Sequence, residues 1–330
     1  NRGCIPTKAM IHAAEVLEEI RSCEKLGIHV GQVSYNFAGM HERKAEVVEQ
    51  LRGGIEGLFK AYKIDLIRGC GIILDSNRIQ VGDQAYETDR ILIATGSKPA
   101  MPPIPGLTLP GVVTSDEMLE WKGVYCKKLV IIGGGVIGME FASFFNSLGT
   151  EVTVVEMLPK ILGGLDGEIS AMLQDIYAKK GIKFNLNCKV TEIRGNEVVY
   201  VDKDGQTLSA KGDKILMSVG RRAVTAGLGL ENLGIEMNRG AVKVDDKMRT
   251  NAPNVFAAGD ITGFSMLAHT ASREGEVVVN NLTGRADRMR YNAIPGVVYT
   301  NPEVAGVGLT EEQAKAEGIE YKIAKLPMAY

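Results

Sequence analysis

Apolar residues recur every three to four positions over two stretches near the start of the chain. Met10, Ala13, Ala14, Leu17 and Ile20 predict a helix over 7–25, entered through Pro6 and Thr7. Val47, Val48, Leu51, Ile55, Leu58 and Phe59 predict a second over 42–63. The pattern then shortens to strand-length runs at 64–67, 71–74 and 78–81, and a continuous apolar run at 91–94 suits a buried strand. Prolines 99, 102, 103, 105 and 110 interrupt it and predict an extended connector at a domain boundary. The clearest unit follows: strand 129–132, glycine turn, helix 136–148, strand 151–155. A helix over 169–180 stops at Gly181, and hairpin strands run to 210 with turns at Gly195-Asn196 and Asp204-Gly205. Short strands at 215–219 and 255–258 and a helix over 268–282 come next. From about Tyr291 the pattern changes to strand, turn, helix 311–317 and a last strand.

Four of the apolar runs end in glycine: ILIATG (91–96), LVIIGG (129–134), ILMSVG (215–220) and VFAAGD (255–260). Parallel α/β sheets bind ligands outside the carboxyl ends of their strands, where glycine lets a ligand approach the backbone. The predicted class is α/β.

Composition narrows the function. A length of 330 residues predicts two or three domains. A net charge of −2 provides no polyanion-binding surface, so nucleic acid is not an expected partner. The longest apolar stretch, 129–145, carries four glycines and Glu140, so no membrane span is expected either. The five cysteines are scattered with no metal-ligand spacing, and no metal is expected; Cys23, Cys70, Cys126 and Cys188 read as structural. The chain starts at Asn1 rather than Met and stops at Tyr330 after a strand-like run, so the sequence is expected to be cut at both ends.

Gly133-Gly134-Gly135-Val136-Ile137-Gly138 matches the dinucleotide fingerprint in its required setting, strand before and helix after. Gly133 makes the turn, Gly135 admits a pyrophosphate, and Gly138 lets helix pack on strand. The helix start at Val136 and Ile137 supplies free N–H groups, and Gly220 ends a neighbouring run. Glu156, 18 residues past Gly138, is placed to accept from ribose hydroxyls and to repel a 2′-phosphate, which selects NAD over NADP. Lys160 is the nearby cation that argues the other way. At the N-terminus, Cys4 stands just before a predicted helix with Lys8 one turn on. That setting stabilises a thiolate, while a lone cysteine is also an ordinary small core residue; locally both readings stand. Lys8 and Glu140 read locally as solvated helix positions.

NRGCIPTK (1–8), GGGVIGMEFA (133–142), ILIATGSKP (91–99), VFAAGDITG (255–263), ML-AH-TA (266–271) and YTNPEVAGVG (299–308) resemble, in order, the motifs of the flavoprotein disulfide reductases. Within that family, IPTK and Glu156 look most like the bacterial dihydrolipoamide dehydrogenases. The resemblance implies two Rossmann-like domains, for FAD and NAD, and the start of an α+β dimerisation domain. It implies boundaries at 1–120 (FAD), 121–248 (NAD), 249–288 (return to FAD) and 289–330 (interface, incomplete). Cys4 would be the flavin-proximal cysteine of a redox disulfide, its partner lying five positions earlier, before Asn1. Lys8 and Glu140 would pair beside the flavin, with Glu140 also lining the NAD site. Thr95, Gly96, Ser97, Gly259, Asp260, Met266, Leu267, Ala268 and His269 would line the rest of the FAD site. His269 reads as a satisfied, semi-buried histidine rather than a base.

The implied activity is oxidation of a protein-bound dihydrolipoyl group, with NAD+ as final acceptor, by a cytoplasmic homodimer. A lipoyl-bearing protein of a 2-oxo-acid dehydrogenase or glycine-cleavage complex would be the partner. Two other readings stand beside it: a disulfide reductase acting on glutathione, mercuric ion or a coenzyme disulfide, and a non-enzymatic NAD-binding protein. The 330 residues alone are expected to be inactive. After Gly220-Arg221-Arg222 the family has Pro-Asn where this chain has Ala223-Val224.

Overall fold

The computed structural model describes residues 2–120 and 125–327. Asn1, the expected boundary at residue 121, and Tyr330 lie outside the described residues. Helix α1 (Cys4–Ser22) buries Met10, Ile11, Ala14 and Leu17, the stripe its periodicity predicts. It ends three residues short of expectation, in a 3-10 turn (Cys23–Leu26) closed by Gly27 at φ +77°. Helix α2 (Phe37–Ala61) starts earlier than its apolar pattern, because the Asn36 side chain accepts the Ala38 N–H and caps it there. The pattern locates this helix but not its buried side. Leu51, Ile55 and Leu58 are about half exposed, whereas Phe37, His41 and Lys44 of the first turns are buried.

The run at 64–67 forms no strand. Nothing among the described residues pairs with it, and Ile64, Leu66 and Ile67 stand exposed. Two three-stranded antiparallel sheets form where the hairpin signals stand, over 71–87 and 189–211. A short helix α3 (Ser115–Glu120) follows the strand Val112–Thr114.

The central sheet has five parallel strands in the order Val112–Thr114, Lys214–Met217, Lys128–Ile132, Glu151–Val155, Lys183–Asn185. Helix α4 (Val136–Ser147) connects Lys128–Ile132 to Glu151–Val155, and α5 (Gly167–Lys179) connects that strand to Lys183–Asn185. Both faces are covered, which is why Leu129, Val130, Ile131 and Ile132 are all buried. Phe141, Phe144 and Phe145 of α4 pack on Met10, Ile11 and Leu17 of α1, so the N-terminal helix and the glycine-turn helix share one core.

The four apolar runs that end in glycine pair off as two parallel couples. Ile91–Ile93 lies beside Val255–Ala257, and Lys128–Ile132 beside Lys214–Met217. Two connecting strands, Ser97–Pro99 and Arg221–Ala223, run antiparallel. Helix α6 (Ala268–Leu282) has the bounds its periodicity predicts. Strands Gly296–Val298 and Val304–Gly306 form a hairpin, and α7 (Glu311–Ala316) is held by a Thr310 capping box. The last expected strand is absent among the described residues: 319–327 are irregular, with Tyr321, Ile323 and Leu326 exposed.

Candidate active site

The glycine turn sits where the sheet order departs from sequence order, between Lys128–Ile132 and Lys214–Met217. This is the crevice in which open α/β sheets bind ligands. Gly133, at φ +107°, lies so close to the next strand that a Cβ would stand 2.4 Å from the Ser218 carbonyl oxygen. At Gly138 a Cβ would stand 2.1 Å from the Gly133 oxygen. Gly135 and Gly220 instead face open space. Two glycines therefore close the helix onto the strand and two leave room above it. Helix α4 starts at Val136 without a side-chain cap, so its first-turn N–H groups are available to an anion.

Glu156, at the end of the adjacent strand, accepts the Gly134 N–H at 2.5 Å and the Leu158 N–H at 2.7 Å. A carboxylate has about four acceptor positions, so both oxygens retain capacity for ribose hydroxyls. Lys160 is turned away into the C-terminal segment. Its ammonium donates to the Leu165 carbonyl at 2.6 Å and meets Glu312 at 3.4 Å. This donor set fits NAD. We expect Glu156→Arg to reverse the preference, raising the NADPH/NADH ratio of kcat/KM at least about tenfold. An unchanged ratio would remove Glu156 from the ribose site.

The second constellation is built from α1 and α4. Cys4 is the first residue of α1 and is exposed; Lys8 follows one turn later on the same face. The Lys8 ammonium donates to both oxygens of Glu140, at 3.1 and 3.3 Å. Glu140 is 4% exposed, which corrects the local reading of it as a solvated helix position. Helical spacing alone misses this because the face α4 turns toward α1 is covered too.

Tyr299 completes the pair, and sequence reasoning assigns it no role. Its N–H donates to Glu140 at 3.2 Å, and Lys8 lies 4.3 Å from the centre of its ring. Behind it, Asn301 joins Glu18, Ser143 and Tyr177 through hydrogen bonds of 2.6–3.3 Å. The segment after 291 is thereby fastened to α1, α4 and α5.

The third constellation lies at the ends of Ile91–Ile93 and Val255–Ala257. Ser97 donates to Asp260 at 2.5 Å and accepts from the Arg221 guanidinium at 2.7 Å. Thr95 donates to the Val224 carbonyl at 2.8 Å, and Gly96 (φ +72°) faces open space. Gly259, at φ +82°, begins the turn that carries Asp260. Met266 is exposed, Leu267 precedes the first turn of α6, and Ala268 opens that helix, which has no side-chain cap. The open Gly96, the free N–H groups at the start of α6 and the Ser97–Asp260 pair fit the ribityl and pyrimidine portions of FAD. Arg221 is a member to which the sequence assigns no role; its signal is its place in Gly220-Arg221-Arg222.

His269 is exposed rather than semi-buried, but it is satisfied, donating from Nε2 to the Pro295 carbonyl at 2.9 Å. Cys126 and Cys188 are buried, and burial raises the Cys126 thiol to about 11. Cys70 is exposed and so is not a core residue. Among the described residues no group of acidic, histidine and cysteine side chains could hold a metal ion, and no helix is long and apolar enough to cross a membrane.

Residues 1–275 match the protein family described as pyridine nucleotide-disulphide oxidoreductase, and residues 294–330 match its dimerisation domain. The dihydrolipoyl dehydrogenase of Chlamydia pneumoniae is 40% identical over 333 residues, covering 99% of this chain and 71% of that protein. The dihydrolipoyl dehydrogenase of Geobacillus stearothermophilus is 40% identical over 342 residues, covering 100% and 71%. Among solved structures, the HOCl-induced flavoprotein disulfide reductase RclA from Escherichia coli superposes with a TM-score of 0.85 at 31% identity. That match covers 100% of this chain and 73% of RclA.

Proposed function

The chain belongs to the pyridine nucleotide-disulphide oxidoreductases, whose cofactors are FAD and NAD, and from that premise we propose that it oxidises protein-bound dihydrolipoyl groups with NAD+ as acceptor. The observation that carries the reading is the ion pair between half-buried Lys8, one helical turn from Cys4, and buried Glu140. The named relatives support the choice of substrate, and Glu156 supports NAD.

Thiol–disulfide exchange needs a sulfur that leaves as thiolate. We assign that sulfur to Cys4, the first residue of α1, with Lys8 one turn on. Glu140 offsets part of the Lys8 charge but fixes its position, and the Tyr299 ring confines it from the other side. FAD, when bound, supplies two-electron chemistry between the thiols and the nicotinamide. Ser97, Asp260, Thr95, Gly96 and the segment from Met266 to His269 would hold it. Gly133, Gly135, Val136, Ile137, Gly138, Glu140, Glu156 and Gly220 would hold NAD. The four-part division at 120, 248 and 288 belongs to the same proposal. So do a homodimer built through the segment from residue 294 and a lipoyl-bearing partner. Cytoplasm is the compartment such a partner implies for a bacterial enzyme.

The test is NADH formation at 340 nm from dihydrolipoamide and NAD+ by the full-length protein, run beside glutathione disulfide and mercuric ion with NADPH. NADH formation with dihydrolipoamide and no turnover of the other pairs is the expected result. Turnover of another disulfide without lipoamide activity would overturn the substrate assignment. The likeness to RclA favours that second reading, which the same panel measures.

A further inference from the structure

The mechanism above leaves one wholly buried acid unused. Glu274, on α6, is 0% exposed, and among the described residues no ion pair includes it. A buried carboxylate without a cation is costly unless its oxygens are hydrogen-bonded. Both are: the Gly259 N–H donates to one at 2.5 Å, and the Tyr291 hydroxyl donates to the other at 2.7 Å. Burial pushes this carboxyl upward, Tyr291 and Gly259 pull it back, and the charge of Asp260 adds to the upward push.

We propose that Glu274 is a positioning residue for the flavin, fixing the Gly259 peptide, and through it Asp260, by hydrogen bonding rather than by charge. The inference rests on the reading of Asp260 as a flavin ligand.

Gly259 sits at φ +82°, ψ −159°, a conformation in practice reserved for glycine. Its peptide is pinned on both sides. Glu274 takes the N–H, while the Thr262 hydroxyl and N–H both donate to its carbonyl at 3.0 Å. The preceding residue, Ala258, donates to the Ile93 carbonyl, so the turn is also held to its parallel partner strand. Asp260 leaves this fixed peptide and meets Ser97. Tyr291 secures Glu274 from behind, and its ring stacks on Phe264 at 4.9 Å. The segment that reaches Glu274 through Tyr291 is the one that reaches Lys8 and Glu140 through Tyr299. One stretch of chain therefore braces both the Lys8–Glu140 pair and the Gly259–Asp260 turn.

The test uses Glu274→Gln and Glu274→Met in the full-length protein, read by FAD dissociation constant and by the position of the visible flavin bands. Gln keeps an oxygen for the Gly259 N–H and presents its NH2 to the Tyr291 oxygen, so it fills both bonds without charge. We expect it to bind FAD within about threefold of the wild type, with unshifted bands. Met fills similar volume with neither bond, and should bind about tenfold or more weakly, with shifted bands. If the Met variant fails to fold, Tyr291→Phe, which strips one donor from the carboxyl, should weaken FAD several-fold in the same assay. Wild-type affinity and bands in the Met variant, or in Tyr291→Phe in its place, would overturn the inference. Equal losses in Gln and Met would assign the effect to charge and overturn it too. A wild type that binds no FAD would instead remove the ligand reading beneath it.

Discussion

Cys4→Ser is expected to reduce lipoamide turnover about a thousandfold or more while leaving NADH-driven reduction of an artificial dye near the wild-type rate. A serine hydroxyl is nearly isosteric, but it ionises far above the thiol and cannot carry a disulfide. Nothing in the packing should confound the result, since Cys4 is exposed at the first position of α1. The dye reaction needs only the nicotinamide and flavin sites, so it reports whether they survive. Wild-type lipoamide turnover in this variant would remove Cys4 from the mechanism. Loss of both activities would point instead to a role in holding α1.

The second large effect is at the other end of the site. Gly138→Ala would drive a methyl group to 2.1 Å from the Gly133 oxygen, a contact that backbone cannot relieve by rotation. Helix α4 must move away from its strand, and Glu140, two residues on, moves with it. We expect a loss of about 3 kcal/mol in stability and about a hundredfold in NAD affinity. Gly53→Ala, on α2 with nothing within 4 Å of the added methyl, is the control; it should be neutral or slightly stabilising. Thermal unfolding and NAD titration of the two variants decide the matter: equal behaviour would mean that close packing at Gly138 does not matter.

The glycine fingerprint was legible because each of its demands is local: a tight turn, a close approach, an acid at the end of the next strand. Helix α6 was legible for the same reason, since its periodicity survives folding intact. The Lys8–Glu140 pair lies 132 residues apart in sequence, and only family likeness joined the two before the fold did. Glu274 had no local signal at all, and Tyr299 had only its place at the head of YTNPEVAGVG. Tyr299 acts through its backbone and its ring face. Glu274 sits in an ordinary charged helical stretch, Arg273-Glu274-Gly275-Glu276, where spacing gives no warning that one of two glutamates is wholly buried. The misread elements share a cause. The run at 64–67, the end at 319–327 and the outer face of α2 all carry apolar residues, and none finds a covering surface among the described residues. Burial depends on what arrives from elsewhere, which a sliding window does not see.

The parallel couple Ile91–Ile93 and Val255–Ala257 has a consequence for how the chain comes off the ribosome. Among the described residues Ile91 pairs with no strand made before Val255, whereas every strand of the five-stranded sheet, from Val112 to Met217, lies between them. The intervening sheet can therefore close as a unit while the earlier segment waits, with its apolar edge open, for a neighbour still to be translated. Contacts of such long sequence separation close late and expose sticky surface in the interval. The price of weaving one nucleotide site around another is thus met during synthesis, by a nascent chain that must stay soluble with half of its sheet unmade.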